Sequence, residues 1–281
     1  MTRLRFKYYM KLSFSDTVEK HRFSLKCIPK SDVKQRIYIT HRDIYPNSFI
    51  SEDTDSFGNL IIYGYEESKH KYFFFDIEGE AVTGMEAAQG SEKYKDGTDP
   101  ETLLMKYQTA VTMPGDAIRA YYMEIAEGFK SAGKLGPEYG LTDADDTVNF
   151  GLYTMSRLGR DFEYESGVTD IQTTAEDAMR SGKGVCQDYA HIMLSLCRLR
   201  RIPCRYVTGM MLGEGESHAW VEVLSGEKWI GMDPTNSQLV GDYYIKIAHG
   251  RDYSDCLVNQ GLFTGAVRQE QKISVNVEEI T

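Results

Sequence analysis

"GKGVCQDYAHIMLSLCRLRRIPCRYVTG", Gly182 to Gly209, sets one cysteine behind a Gly-Lys-Gly-Val turn and ahead of an apolar stripe. Val185, Tyr189, Met193 and Leu196 recur at helical spacing, so a helix is expected to begin at or just before Cys186. Gly182 and Gly184 give its entry little steric bulk. A cysteine in the first turn faces unpaired backbone N–H groups and the positive end of the helix dipole, and both favour thiolate. The same amides, that of Cys186 first, are suited to an oxyanion. A free cysteine is more commonly a buried packing residue, so Cys186 alone decides little.

A nucleophilic thiol works best beside a base, and the chain offers six histidines. His191 lies five residues along the same helix, about 140° around it, and is expected to be partly exposed and to point away from Cys186. His218 is better placed. In "SHAWVEVLSGEKWIGMDPTN" two alternating segments flank a Ser225-Gly226 turn signal. With those two residues as the loop, Val221 would face Ile230, Ala219 would face Met232, and His218 would face Asp233. The first two pairs form an apolar face; His218 and Asp233 share the other, close enough to hydrogen-bond. Such a pair supplies the base and the orienting carboxylate for Cys186. Trp220 and Trp229 fall on the His218 face and are candidates to wall the site, with plain packing as the alternative.

"GKGVCQDYAH", "SHAWVEV" and "GMDPTN" resemble the Cys, His and Asp motifs of the transglutaminase-like superfamily, in that family's order. The β-rich start and the closing "YYIKIAHGRDYSD" to "GLFTGAV" resemble its bacterial members of the cysteine-protease type. The resemblance implies an α+β fold: a papain-like catalytic core, with the cysteine helix on an antiparallel sheet, behind an N-terminal β-sandwich-like domain. It implies Cys186 as nucleophile, His218 as base and Asp233 as its orienter, acting on amide bonds of peptides or proteins, with water or an amine as acceptor. No cofactor and no metal are expected. A zinc site of Cys186, Cys197, Cys204 and His218 is disfavoured, because Cys186 and Cys197 stand about 16 Å apart along one helix. A catalytically inactive interaction module on the same fold is the reading from another class.

The remaining chain sets the frame. Residues 1 to about 85 read as short strands rich in aromatic and β-branched residues, with a turn at Asp55 to Asn59. Beyond residue 100 the period turns helical: Ile118, Tyr122, Ile125 and Phe129, then Val148, Leu152, Met155 and Leu158. "TTAEDAM" offers a capping box from Thr173 to Glu176. Domains are expected at 1–90 and 100–281, with the break in Ala87 to Pro100. "CRLRRIPCR" reads as a solvated helix end. A formal charge of −10 argues against nucleic-acid and anionic-membrane partners. No stretch is long and apolar enough for a spanning helix. The N-terminus lacks the apolar block of a signal peptide, and the five cysteines are odd in number and scattered, so a cytoplasmic location is expected.

Overall fold

A computed structural model describes residues 1–85 and 99–281. In chain order the strands β1 (Thr2–Leu25), β2 (Gln35–Tyr45), β3 (Phe49–Thr54), β4 (Leu60–Glu66) and β5 (His70–Thr83) come first. Helices α1 (Pro100–Leu104), α2 (Asp116–Ala132) and α3 (Asp146–Asp161) follow. The short strand β6 (Glu163–Tyr164), helix α4 (Ala175–Ser181) and short strand β7 (Lys183–Gly184) lead into helix α5 (Cys186–Leu199). Then come β8 (Cys204–Met211), β9 (Gly213–Gly215), β10 (His218–Ser225), β11 (Lys228–Asp233), β12 (Gln238–Leu239), β13 (Tyr244–Gly250), β14 (Asn259–Thr264) and β15 (Gln269–Glu279).

The large antiparallel sheet is organised by β1. Its first half alternates buried Leu4, Phe6, Tyr8, Met10 and Leu12 with exposed polar residues, and pairs with β5 and β15. An irregularity between Ser13 and Val18 turns the strand, and its second half pairs with β4 and β14. The sheet is therefore not confined to residues 1–90. Strands β14 and β15 complete it from the far end of the chain, so a boundary drawn as 1–90 and 100–281 divides one sheet. Most of the expected break, Ala87 to Pro100, lies outside the described residues.

The second unit sets α3 and α5 against the five-stranded sheet β12-β11-β10-β8-β13, with α2 and α4 packed on those helices. Helix α5 is buried on nearly every face from Asp188 to Arg198. Ile192, Met193, Leu194 and Leu196 are fully covered, each contributing roughly 1.5–3 kcal/mol. The caps differ from expectation in one instructive respect. Thr174, not Thr173, opens α4 by accepting from Asp177 N at 3.1 Å. Glu176 instead accepts from the N–H groups of Gly115, Ala117 and Ile118, capping the neighbouring α2. A tertiary acceptor has displaced the local one.

The small sheet's exposed edge is closed by side chains of the first unit. Gln35 donates to Lys246 O and accepts from Lys246 N, both near 2.9 Å. Asn59 does the same for His249, at 2.7 and 2.9 Å. These amides take the place of a further strand along β13.

"CRLRRIPCR" is a solvated helix end only at Arg200 and Arg201; its other two arginines are buried. Arg198 is 2% exposed, and its guanidinium donates to Met105 O, Thr112 Oγ1, Cys204 O and Arg251 O at 2.5–3.2 Å. Arg205 is buried against Glu222 at 2.6 Å. Backbone carbonyls converging from three segments make the interior polar enough for Arg198. Arg198→Met is expected to strand those acceptors and to cost about 2–3 kcal/mol, read from the urea midpoint at unchanged m-value. An unaltered midpoint would show that the carbonyls find other donors.

Among the described residues no helix is long and apolar enough to cross a membrane.

Candidate active site

Cys186 is the first residue of α5, as the glycine entry and apolar stripe require. The helix mouth is fixed by Asp188, 1% exposed, whose Oδ2 accepts from Val185 N at 2.8 Å and Thr169 Oγ1 at 2.7 Å. Gly184 permits this, since a Cβ there would lie 2.5 Å from that same oxygen. Burial, only partly offset by those donors, pushes the Asp188 carboxyl up. Cys186 itself is half-buried, while Cys27, Cys197, Cys204 and Cys256 are buried thiols.

His218 opens β10 and Asp233 closes β11. The imidazole Nε2 donates to Asp233 Oδ2 at 2.7 Å. The Cys186 thiol lies near enough to the His218 ring to raise its proton affinity. With Nε2 committed to Asp233, Nδ1 is the nitrogen left for sulfur. Burial by itself would lower the His218 pKa, but hydrogen bonds to Asp233 and Cys186, with their negative charges, outweigh it and push it up to about 10. Burial of Asp233 is likewise outweighed, and His218, Asn236 and Tyr244 hold its carboxyl below the usual range.

The hairpin reaches this pair in a different register from the expected one. The loop is Gly226-Glu227, with Ser225 opposite Lys228 and Val221 opposite Met232. Gly226 takes φ +57°, the left-handed conformation required at the first position of such a two-residue turn. Continuing those pairs places Asp233 level with Trp220, so His218 and Asp233 are diagonal neighbours, not direct ones. A shift of two preserves which residues share a face. The long imidazole spans the remaining offset.

Sequence reasoning missed the other groups on Asp233. This carboxylate is fully buried and accepts from the Thr235 and Asn236 amides through Oδ1, at 3.0 and 3.2 Å. Asn236 Nδ2 and the Tyr244 hydroxyl donate to Oδ2 at 2.7 and 2.8 Å. The "DPTN" turn carried a signal for the first three, because an aspartate often accepts from amides two or three residues on. Nothing local marks Tyr244, which arrives from β13.

The tryptophans part company. Trp220 is 1% exposed and stacks beside His218 at 6.4 Å between ring centroids. Its ring lies across Gly209, where a Cβ would stand 2.3 Å from it. Trp229 does not wall the site. It shares the face but sits four residues from Asp233, roughly 13 Å along the strand. There it packs with Met105, Leu224 and Phe57 beneath Arg205, 4.2 Å from its ring centroid. His191 also departs from expectation: it is 1% exposed and accepts from Tyr253 N at 3.2 Å, because α5 has no solvent face there. The phenols of Tyr206 and Tyr253 are both raised, first by burial; the charge of Cys186 comes next for Tyr206, and for Tyr253 it follows that of Cys256.

Residues 110–234 match the family model for the Transglutaminase-like superfamily. The chain carries a transglutaminase-like domain. Its matched span runs from just before α2 to just past Asp233 and contains Cys186, His218 and Asp233. An uncharacterized protein of Mycobacterium tuberculosis is 34% identical over 139 residues, 43% of this chain and 44% of the relative. One from Mycobacterium leprae is 34% identical over 128 residues, 42% of this chain and 46% of that protein. The match thus spans less than half the length of these relatives. Among solved structures, one from Cytophaga hutchinsonii named "Putative Cysteine Protease" aligns with TM-score 0.63 and 20% identity, covering 100% of this chain and 92% of that one. The transglutaminase-like domain and the large antiparallel sheet are thus shared as fold. The periplasmic domain of TgpA from Pseudomonas aeruginosa aligns at TM-score 0.40 and 13% identity, over 81% of this chain and 87% of that one.

Proposed function

We propose that the protein is a cysteine-dependent acyl-transfer enzyme acting on amide bonds of peptides or proteins. The observation that carries this reading is the His218–Asp233 pair, 2.7 Å apart with its carboxylate fully buried, together with the half-buried Cys186 at a helix mouth. The thiolate attacks the amide carbonyl, forming a carbon–sulfur bond and an oxyanion, for which the Cys186 amide is the donor at hand. His218 gives its proton to the nitrogen, the C–N bond breaks, and an amine or ammonia leaves a thioester on Cys186. Water or a second amine then attacks that thioester while His218 takes the proton back. Asp233 stays ionised throughout and orients the ring. No cofactor enters these steps. A cytoplasmic setting is part of the proposal, supported by five free cysteines.

The test is intact-protein mass spectrometry with glutaminyl and other peptide amides, with and without a primary amine. An acyl adduct on Cys186 that decays to acid or to amide is expected. Absence of any adduct across the panel would instead favour a non-catalytic interaction module.

A further inference from the structure

We infer that Tyr244 is a positioning residue: its hydroxyl, oriented by Gln238, sets how firmly Asp233 holds His218. As a role in turnover this rests on the reaction proposed above; as a coupling between side chains it stands on geometry. A phenol has one proton to give. Gln238 Nε2 donates to the Tyr244 oxygen at 2.7 Å and so occupies one of its acceptor sites. The proton is directed to Asp233 Oδ2, 2.8 Å away. That same oxygen accepts from His218 Nε2 at 2.7 Å and Asn236 Nδ2 at 2.7 Å. Three donors thus share one carboxylate oxygen, and each weakens its hold on the others.

The ring of Tyr244 is placed to make this geometry rigid. It meets Trp220 edge-on at 5.4 Å, and Trp220 in turn stacks beside His218. Gly209 of β8, lying between the strands of His218 and Tyr244, leaves room for the indole. Among the described residues, Thr235, Asn236 and Tyr244 donate to the carboxylate and Cys186 acts on the imidazole, while the charge of that sulfur is felt by Tyr206 and Tyr253. Removing one donor from Asp233 leaves more of its charge for the imidazolium. His218 then keeps its proton to higher pH and surrenders it more slowly to the departing amine.

The experiment compares wild type, Tyr244→Phe and Gln238→Ala, with the His218 ring titrated by NMR. Phenylalanine keeps the contact with Trp220. Its His218 titration should move up by roughly half to one pH unit. Gln238→Ala, which frees the phenol to rotate, should give a smaller shift in the same direction. Where turnover is measured, kcat should fall about 3- to 10-fold with KM little changed. A folded Tyr244→Phe protein whose His218 titrates as in wild type, or at lower pH, would overturn the coupling. So would equal losses in kcat and KM at unchanged titration, the mark of a purely structural role. The titration needs no substrate, so a wild type inert to every amide would overturn the reaction and leave this coupling to be decided by the NMR shift.

Discussion

Cys186→Ala is expected to abolish turnover while leaving the fold in place. The loss should be complete because no second nucleophile stands at the site: the other four thiols are buried. The structural cost should be small, since Cys186 is half-buried and the helix mouth is held by Asp188 instead. Thiol labelling separates the two effects without any substrate. Native wild type should take up one equivalent of iodoacetamide rapidly, the variant essentially none, and both should melt together within about 1 kcal/mol. Persisting activity in the alanine variant would end the proposed mechanism. Rapid labelling of that variant would show that another thiol is accessible.

Asp233→Asn should be nearly as severe, for a reason particular to this hydrogen-bond set. Asn236 Nδ2, Tyr244 and His218 all donate to Oδ2, while backbone amides hold Oδ1. An asparagine NH2 in the Oδ2 position meets three donors with a donor. The simplest relief is for the imidazole to present a bare Nε2, which moves its proton to Nδ1, beside the sulfur. A ring in that tautomer cannot accept the thiol proton, and a fall in kcat of about 10³–10⁴ is expected. Stability should change with a definite sign. The raised His218 pKa contributes stability that is fully present below about 6.5, the unfolded value, and is lost as pH rises through about 10. In the asparagine variant that contribution shrinks, so the loss at neutral pH should exceed the loss above pH 10. A variant with wild-type kcat would remove Asp233 from the mechanism.

How much of this was legible beforehand follows from the range of each interaction. The start of α5 at Cys186 is a local matter of glycine entry and apolar stripe, and it reads directly. The sharing of one face by His218 and Asp233 is also local, because alternation along two strands survives a shift of two. The register is not: Ser225-Gly226 and Gly226-Glu227 are both plausible turns, a left-handed Gly226 suits either, and only the strand pairing, Ser225 with Lys228, chooses between them. Tyr244, Glu176 and Arg198 act on groups far away in sequence, so nothing adjacent to them announces their partners. His191 misled because an amphipathic reading supposes a wet side that α5 does not possess. The pairing of β1 with β15 joins the two ends of the chain, beyond the reach of any local pattern.

That last pairing has a bearing on biosynthesis. A ribosome makes β1 long before β15, yet the two lie side by side along eleven residue pairs, Leu4–Glu279 to Phe14–Gln269. Until β15 is made, one flank of β1 lacks its neighbour, and buried Val275 and Val277 have yet to arrive. The segment bearing Cys186, His218 and Asp233 emerges in between, spliced into a sheet that closes only once β15 is made. Such long-range closure predicts slow final folding of the sheet, with the nascent chain exposed to edge-to-edge aggregation until β15 emerges.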